Sequence, residues 1–315
     1  MKISRGIGVL PNLITIGNGI CGFAALVKLM KVHPGTEPFS DVDLHLFTGA
    51  AWLVMLGMLF DVFDGRVARL SGATSNIGAQ LDSLCDLVTF GLVPALMVVR
   101  LNVTQSPQWQ YLVWFFCLAY FLGAMLRLAR FNDENEHDEA AHLCFRGLPS
   151  PAAAGCLASL VLFFSYATLG EQRELKALAP WMPAETVREF VSWMPNVLPL
   201  VALVLGWTMV TTRLNYDHVA SRVFHRKQSF EFIVYLVFGG LLLAMFPEVS
   251  LPICFVGYLL YTPACHVWRW MVGTRGRRDG SGDSDDSVAG GGESEFRALS
   301  DQGVGPGRMD SGRPS

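Results

Sequence analysis

Four aspartates that interrupt two long apolar runs constrain the fold of this chain more than any other feature. Asp61 and Asp64 follow the run LFTGAAWLVMLGMLF, and Asp82 and Asp86 precede the run LVTFGLVPALMVV. Residues three or four apart share one face of an α-helix, so each carboxylate pair points in one direction. Two helices joined by a short turn would therefore bring both pairs to the same depth, near one membrane surface.

Acids in this setting need a compensating partner. An ionised side chain within a bilayer helix costs about 2.5–3.5 kcal/mol, and a divalent cation such as Mg²⁺ takes the oxygen ligands that carboxylates supply. Gly65 and Gly78 lie beside these acids and leave room for a bulky ligand. The alternative is a water-exposed cluster at two helix ends, and the glycines argue against it.

The composition predicts an all-α, polytopic membrane helical bundle. The chain is 51% hydrophobic and 16% charged, whereas soluble domains carry roughly 25% charged residues. Segments near the ~20 residues that a bilayer requires predict about eight transmembrane helices, at residues 12–31, 44–63, 80–100, 111–130, 150–169, 195–213, 229–247 and 251–271.

These spans suggest a simple domain organisation. Residues 1–272 would form a transmembrane catalytic domain, with a core at 10–215 and additional helices at 229–271. Residues 273–315 are rich in Gly, Ser and Asp, which predicts a disordered cytoplasmic tail. Most lysines and arginines of the loops fall on the side of the N-terminus. The positive-inside rule then places the N-terminus and the four aspartates at the cytoplasmic face of the cell membrane.

The acidic segment matches a known signature. It reads D-x-x-D-G-x-x-A-R and, after a short interval, G-x-x-x-D-x-x-x-D, and this pattern resembles that of the CDP-alcohol phosphotransferases. The matching residues are Asp61, Asp64, Gly65, Ala68, Arg69, Gly78, Asp82 and Asp86. The resemblance implies a CDP-alcohol phosphotransferase-like core and a homodimer.

The resemblance also implies roles for these residues. Asp61, Asp64 and Asp82 would hold Mg²⁺ or Mn²⁺, with two ions expected, and Asp86 would contribute to the second ion and serve as the general base. Asn12, Thr15 and Asn18 share one face of the first span. In the family this helix borders the nucleotide, so the expected contacts to the CDP-lipid are Asn12, Thr15, Gly65, Ala68, Arg69 and Gly78.

Two further segments concern the acceptor alcohol. RLARFN, followed by FRGLPSP, resembles the branch of the family whose acceptor is serine, which implies CDP-diacylglycerol and L-serine as substrates. A zwitterionic acceptor needs a cation for its carboxylate, and the candidate acceptor-binding residues are Arg127, Arg130, Asn132 and Arg146. The same arginines would suit glycerol phosphate or inositol phosphate, and choline is another acceptor within the family.

Two other classes of protein fit part of the pattern. A divalent-cation transporter would also carry membrane aspartates, but it needs polar residues that continue across the bilayer, and the second to fourth spans become apolar beyond the acids. A membrane prenyltransferase also uses aspartate pairs with Mg²⁺, but such enzymes generally place them in separate parts of the chain. We expect membrane lipids as partners and no nucleic acid.

Overall fold

The computed structural model describes residues 9–33, 39–71, 76–102, 106–137, 147–169, 184–211, 239–241 and 243–275. These residues are helical, with no strand among them, which confirms the predicted all-α class. The helices are α1 Val9–Met30, α2 Asp41–Ser71, α3 Asn76–Asp86, a π-helical segment Leu87–Leu92, α4 Val93–Leu101, α5 Pro107–His137, α6 Ser150–Leu169, α7 Ala184–Val210 and α8 Pro247–Arg275.

Six spans in the described part of the chain are long and apolar enough to cross a membrane. They are Asn12–Met30, Asp41–Val67, Ile77–Leu101, Pro107–Asp133, Ser150–Leu169 and Arg188–Val210. The third of them joins α3, the π-helical segment and α4 into one continuous rod. The chain is therefore an integral membrane protein.

The later spans differ in detail from the prediction. Most of the predicted seventh span, residues 229–247, lies outside the described residues. The eighth corresponds to α8, whose apolar stretch among the described residues is Pro247–Tyr261. α7 begins at Ala184, ahead of the expected start at 195, and continues through Pro195 and Pro199.

Large apolar side chains on the outside and polar ones within identify the lipid-facing surface. On α1, Leu13, Ile20 and Phe23 are exposed, whereas Thr15 and Asn18 are buried. A soluble helix would show the reverse arrangement, because its apolar stripe faces the core. The inner face of α1 packs along α2 and the third span.

Small residues allow the helices to approach closely. A Cβ atom on Gly123 of α5 would lie 2.6 Å from the carbonyl oxygen of Gly206 on α7. A Cβ on Gly206 would in turn lie 2.7 Å from the Cα of Tyr120. Membrane helices commonly use such small-residue contacts for close packing, so α5 and α7 meet backbone to backbone here.

The end of the bundle away from the aspartate pairs is fixed by a local hydrogen-bond group. The Ser40 hydroxyl donates to the Asp43 carboxylate at 2.6 Å and accepts from the Asp43 N–H at 3.2 Å, which caps the start of α2. The backbone N–H of His33, just after α1, donates to the same carboxylate at 3.0 Å. These contacts set the register between α1 and α2 and hence the depth of the groups they carry.

Contacts within the chain group residues 1–267 into one unit and residues 268–315 into another. All site residues described below belong to the first unit. Of the second, only the end of α8 is among the described residues, and the predicted boundary near residue 272 stays a prediction.

Candidate active site

α2 and α3 bring three of the four aspartates together. One carboxylate oxygen each from Asp61, Asp64 and Asp82 lies within 4.8 Å of the others. Asp61 and Asp64 are one turn apart near the end of α2, and Asp82 comes from the second turn of α3. The predicted convergence of two neighbouring helices is therefore present in the structure, although residues 72–75 between them lie outside the described part.

Two of these carboxylates have oxygens without a hydrogen-bond donor. Asp64 Oδ2 and Asp82 Oδ1 are both buried and have no hydrogen-bond partner among the described residues, and Asp64 as a whole is 5% exposed. A buried acceptor left without a partner costs about 1–3 kcal/mol, and more when it is charged. A hard divalent cation satisfies both oxygens at once, so this group of side chains fits such an ion.

Asp86 is held differently from the other three. It is 6% exposed, lies outside the group of three, and accepts a hydrogen bond at Oδ1 from Asn18 Nδ2 at 2.8 Å. The π-helical segment begins at the next residue, Leu87. In that segment the Thr89 hydroxyl donates to the Asn18 carbonyl at 3.1 Å, and the buried Tyr120 hydroxyl donates to the Phe90 carbonyl at 2.8 Å.

The polar face of α1 lies against the acids. Thr15 is buried and its side chain hydrogen-bonds the Asp64 carboxylate. Asn12, one turn earlier, is half-buried near the start of α1. The polar face of α1 that was predicted from the sequence therefore borders the acidic group. Asn18, for which the sequence predicted no role, is the most buried of its three residues.

The glycine positions differ in how much space surrounds them. Within the described part of the chain, a Cβ on Gly65 would have no neighbour within 4 Å, which leaves space beside Asp64 near the end of α2. Gly78 is half-buried on α3. The side chains of Ala68 and Arg69 lie outside the described residues, and their expected contacts to the CDP-lipid stay predictions.

The candidate acceptor residues separate into three locations. Arg127 on α5 is half-buried, donates from Nη1 to the Ser150 hydroxyl at 2.5 Å, and interacts electrostatically with Asp61 and Asp86. Arg130 donates to the Val210 carbonyl at 3.3 Å, at the end of α7. Only Arg127 of these two faces the acids.

Asn132 occupies the third location. Its side chain and the Ser83 hydroxyl hydrogen-bond each other at 2.9 Å, across a groove of about 320 Å³ between α3 and α5. Arg146 lies outside the described residues. Ser150 was missed at the sequence level because its hydroxyl matters only through Arg127, 23 residues away in the chain.

The class of this protein is defined by its membrane helices, two of which hold a cluster of partly buried carboxylates that can bind a cation. A family model described as CDP-alcohol phosphatidyltransferase matches residues 8–193, more than half of the chain. The chain therefore belongs to the CDP-alcohol phosphatidyltransferase family, as the acidic signature indicated. Membership favours an enzyme over the cation-transporter alternative.

Several curated proteins named CDP-diacylglycerol–serine O-phosphatidyltransferase are similar to this chain. The protein of Bacillus subtilis is 35% identical over 158 residues, which cover 50% of this chain and 76% of the relative. Those of Mycobacterium bovis and Saccharomyces cerevisiae are each 33% identical over 162 residues. The matched part spans about half of their length, 51% and 53% respectively.

Proposed function

We propose that the protein transfers the phosphatidyl group of CDP-diacylglycerol to the hydroxyl of L-serine, giving phosphatidylserine and CMP. The observation that carries the proposal is the convergence of Asp61, Asp64 and Asp82 beside the separately held Asp86. The family match and the shared name of the relatives support the reaction class and the acceptor.

Asp61, Asp64 and Asp82 would hold the divalent ion, with Mg²⁺ or Mn²⁺ and a second ion near Asp86 as the finer expectation. When bound, such ions neutralise the negative charge of a diphosphate and stabilise the charge that develops during phosphoryl transfer. The open side of Gly65 leaves space for the nucleotide beside α2. Thr15 and Asn12 on α1 border the same space and would contact the cytidine.

Direct displacement accounts for the chemistry with the side chains present. The serine hydroxyl oxygen forms a bond to the phosphorus that carries diacylglycerol, while the bond from that phosphorus to the CMP oxygen breaks. Asp86 accepts the hydroxyl proton, and CMP leaves with the electron pair of the broken bond. A positioned general base contributes typically about 10²–10⁴ in rate.

Arg127 is the residue best placed for the serine carboxylate. Its guanidinium is near Asp61 and Asp86 and is braced by Ser150. Charge-assisted pairing between Arg and a carboxylate is both strong and directional. The other candidates, Arg130 and Asn132, each hydrogen-bond a neighbouring helix. They would line the path by which the acceptor enters the site.

The site is proposed to face the cytoplasm from the cell membrane, because the loop lysines and arginines follow the positive-inside pattern. The implied homodimer stays a prediction, which cross-linking of the protein in vesicles tests.

The deciding experiment supplies purified protein with CDP-diacylglycerol and one acceptor at a time. We expect CMP release with L-serine and none with glycerol phosphate, inositol phosphate or choline. Release with glycerol phosphate alone would contradict the serine assignment and move the protein to another branch of the family.

A further inference from the structure

The residues around Asp86 form a connection between three helical segments. Asn18 of α1 donates to Asp86 Oδ1 at 2.8 Å, and Thr89, one turn beyond Asp86, donates to the backbone carbonyl of Asn18 at 3.1 Å. Both Asn18 and Thr89 are 0% exposed. Asn18 is therefore tied to the third span through its side-chain amide, which contacts Asp86, and through its backbone carbonyl, which contacts Thr89.

Gly57 of α2 leaves the space that Asn18 occupies. A Cβ atom on Gly57 would lie 2.9 Å from Asn18 Oδ1 and 2.7 Å from Thr89 Cγ2. Any larger residue would push the amide away from Asp86. Asn18 Oδ1 is buried and has no hydrogen-bond partner among the described residues, and a functional role for the amide would explain this cost.

Asp86 lies outside the close group of acids, and Asn18 orients its carboxylate. Asp61, Asp64 and Asp82 form a close group that does not include Asp86, although Asp82 and Asp86 are one turn apart on α3. A donor on Oδ1 fixes the orientation of the carboxylate, which suits a group that accepts a proton from a positioned hydroxyl.

We propose that Asn18 is a positioning residue that fixes the orientation of the Asp86 carboxylate, so that it serves the acceptor hydroxyl. Thr89 and Gly57 are the supports that keep Asn18 in place. The assignment rests on the proposed function for the role of Asp86, but the placement of Asn18 follows from the hydrogen bonds alone.

The test compares Asn18→Leu, which keeps the size of the side chain and removes the donor, with the unmodified protein. Since a reacting group misplaced by about 1 Å costs on the order of 10² in rate, we expect kcat to fall about 10- to 100-fold. The KM values for CDP-diacylglycerol and serine should change by less than about threefold, because ground-state binding is not altered. Ser159→Ala is the control, as the buried Ser159 hydroxyl bonds within its own helix at 3.0 Å.

A second readout uses Mn²⁺ alone, measured by electron paramagnetic resonance on protein without lipid or serine. Asn18→Leu should bind Mn²⁺ about as tightly as the unmodified protein, because Asn18 contacts none of the three grouped carboxylates of Asp61, Asp64 and Asp82 in the hydrogen bonds that the described residues show. An unchanged kcat would overturn the proposal. So would a large loss of Mn²⁺ affinity in a variant that still unfolds at the normal temperature, since Asn18 would then support the cation-holding group itself.

Two further variants cover a failure of Asn18→Leu to fold. Asn18→Asp has the same shape but places an acceptor against Asp86, and it should lower kcat as strongly. Thr89→Val removes only the bond to the Asn18 carbonyl and should give a smaller fall; normal kcat in both would overturn the proposal. If the protein uses another acceptor, serine-dependent CMP release fails in the unmodified protein too, whereas the Mn²⁺ comparison still tests Asn18.

Discussion

At the scale of single residues, four chemically identical aspartates differ because their neighbours differ. Asp64 and Asp82 each present an oxygen with no donor, whereas Asp86 is fixed by Asn18. A carboxylate without a donor suits a cation, and one with a fixed orientation suits proton transfer. The sequence pattern predicted that these acids would act together. Their different hydrogen-bond partners favour different roles, cation binding for Asp64 and Asp82 and proton transfer for Asp86.

Replacing Asp86 tests its role as the base. Asp86→Asn keeps the size of the side chain and its position beside Asn18 but cannot accept a proton. We expect kcat to fall about 10²–10⁴-fold, with binding of CDP-diacylglycerol largely retained. Single-turnover CMP release and a separate equilibrium binding measurement check the two parts, and a variant with normal turnover would rule out Asp86 as the base.

Replacing Asp82 tests the crowding of the acids. Asp82→Asn removes one charge from a close group of three acids, of which Asp64 is buried, so without divalent ions the free energy of unfolding should rise by on the order of 1 kcal/mol. The same variant should lose Mn²⁺ binding and turnover. Thermal unfolding in detergent with chelator measures the first effect. Asp41→Asn, at an exposed position in the first turn of α2, is the control and should give no stabilisation.

Replacing Arg127 tests recognition of the acceptor. Arg127→Met keeps an apolar stem but removes the charge near Asp61 and Asp86. Since hydrogen bonds to charged groups contribute about 1.5–3 kcal/mol, we expect the KM for serine to rise tenfold or more, with a smaller change for CDP-diacylglycerol. Arg130→Met, which loses a bond to the end of α7, is the comparison. A selective increase in the KM for the nucleotide lipid would instead assign Arg127 to the diphosphate.

At the scale of helices, the site depends on close approach between elements. α1, α2 and the third span meet where Gly57 lies against Asn18 and Thr89, and α5 meets α7 where Gly123 lies against Gly206. The latter contact holds α5, and with it Arg127 and Tyr120, against the rest of the bundle. Close packing of the helix backbones at these glycines holds the site residues in position.

The contact between α5 and α7 makes a prediction about stability. Gly206→Ala places a Cβ 2.7 Å from the Cα of Tyr120, and relieving that clash should cost about 1–3 kcal/mol. Gly257→Ala on α8 meets nothing within 4 Å and should leave the unfolding temperature unchanged or slightly raised. Equal unfolding temperatures for the two variants would contradict the close packing of α5 on α7.

How much of this was visible in the sequence depends on the distance over which residues interact. The acid pairs at helical spacing predicted both the helices and their convergence, because only local geometry was needed. The polar face of α1 was visible too, but not that Asn18 bonds an aspartate 68 residues away. The π-helical segment after Asp86 was also missed, since its apolar letters LVTFGL read as ordinary helix. Such features arise from packing between helices, which a single sequence does not specify.

At the scale of the whole molecule, a membrane bundle holds a polar reaction site at one end of its helices. The exposed faces of α1 and α5 carry large apolar side chains that suit lipid, so under the proposed function a lipid substrate would reach the aspartates from within the bilayer. The family match ends at residue 193, and α8 lies beyond it. The part of the chain that matches the family therefore contains all four acids.

The most direct test of this account is CMP release as a function of free Mg²⁺ or Mn²⁺, measured for the unmodified protein and for Asp64→Asn and Asp82→Asn. These variants remove one acid from α2 and one from α3. We expect release to stop with chelator, to return when either ion is added, and to be lost in both variants at all ion concentrations. Release that persists with chelator, or that survives loss of the acid from either helix, would contradict a cation site shared by α2 and α3.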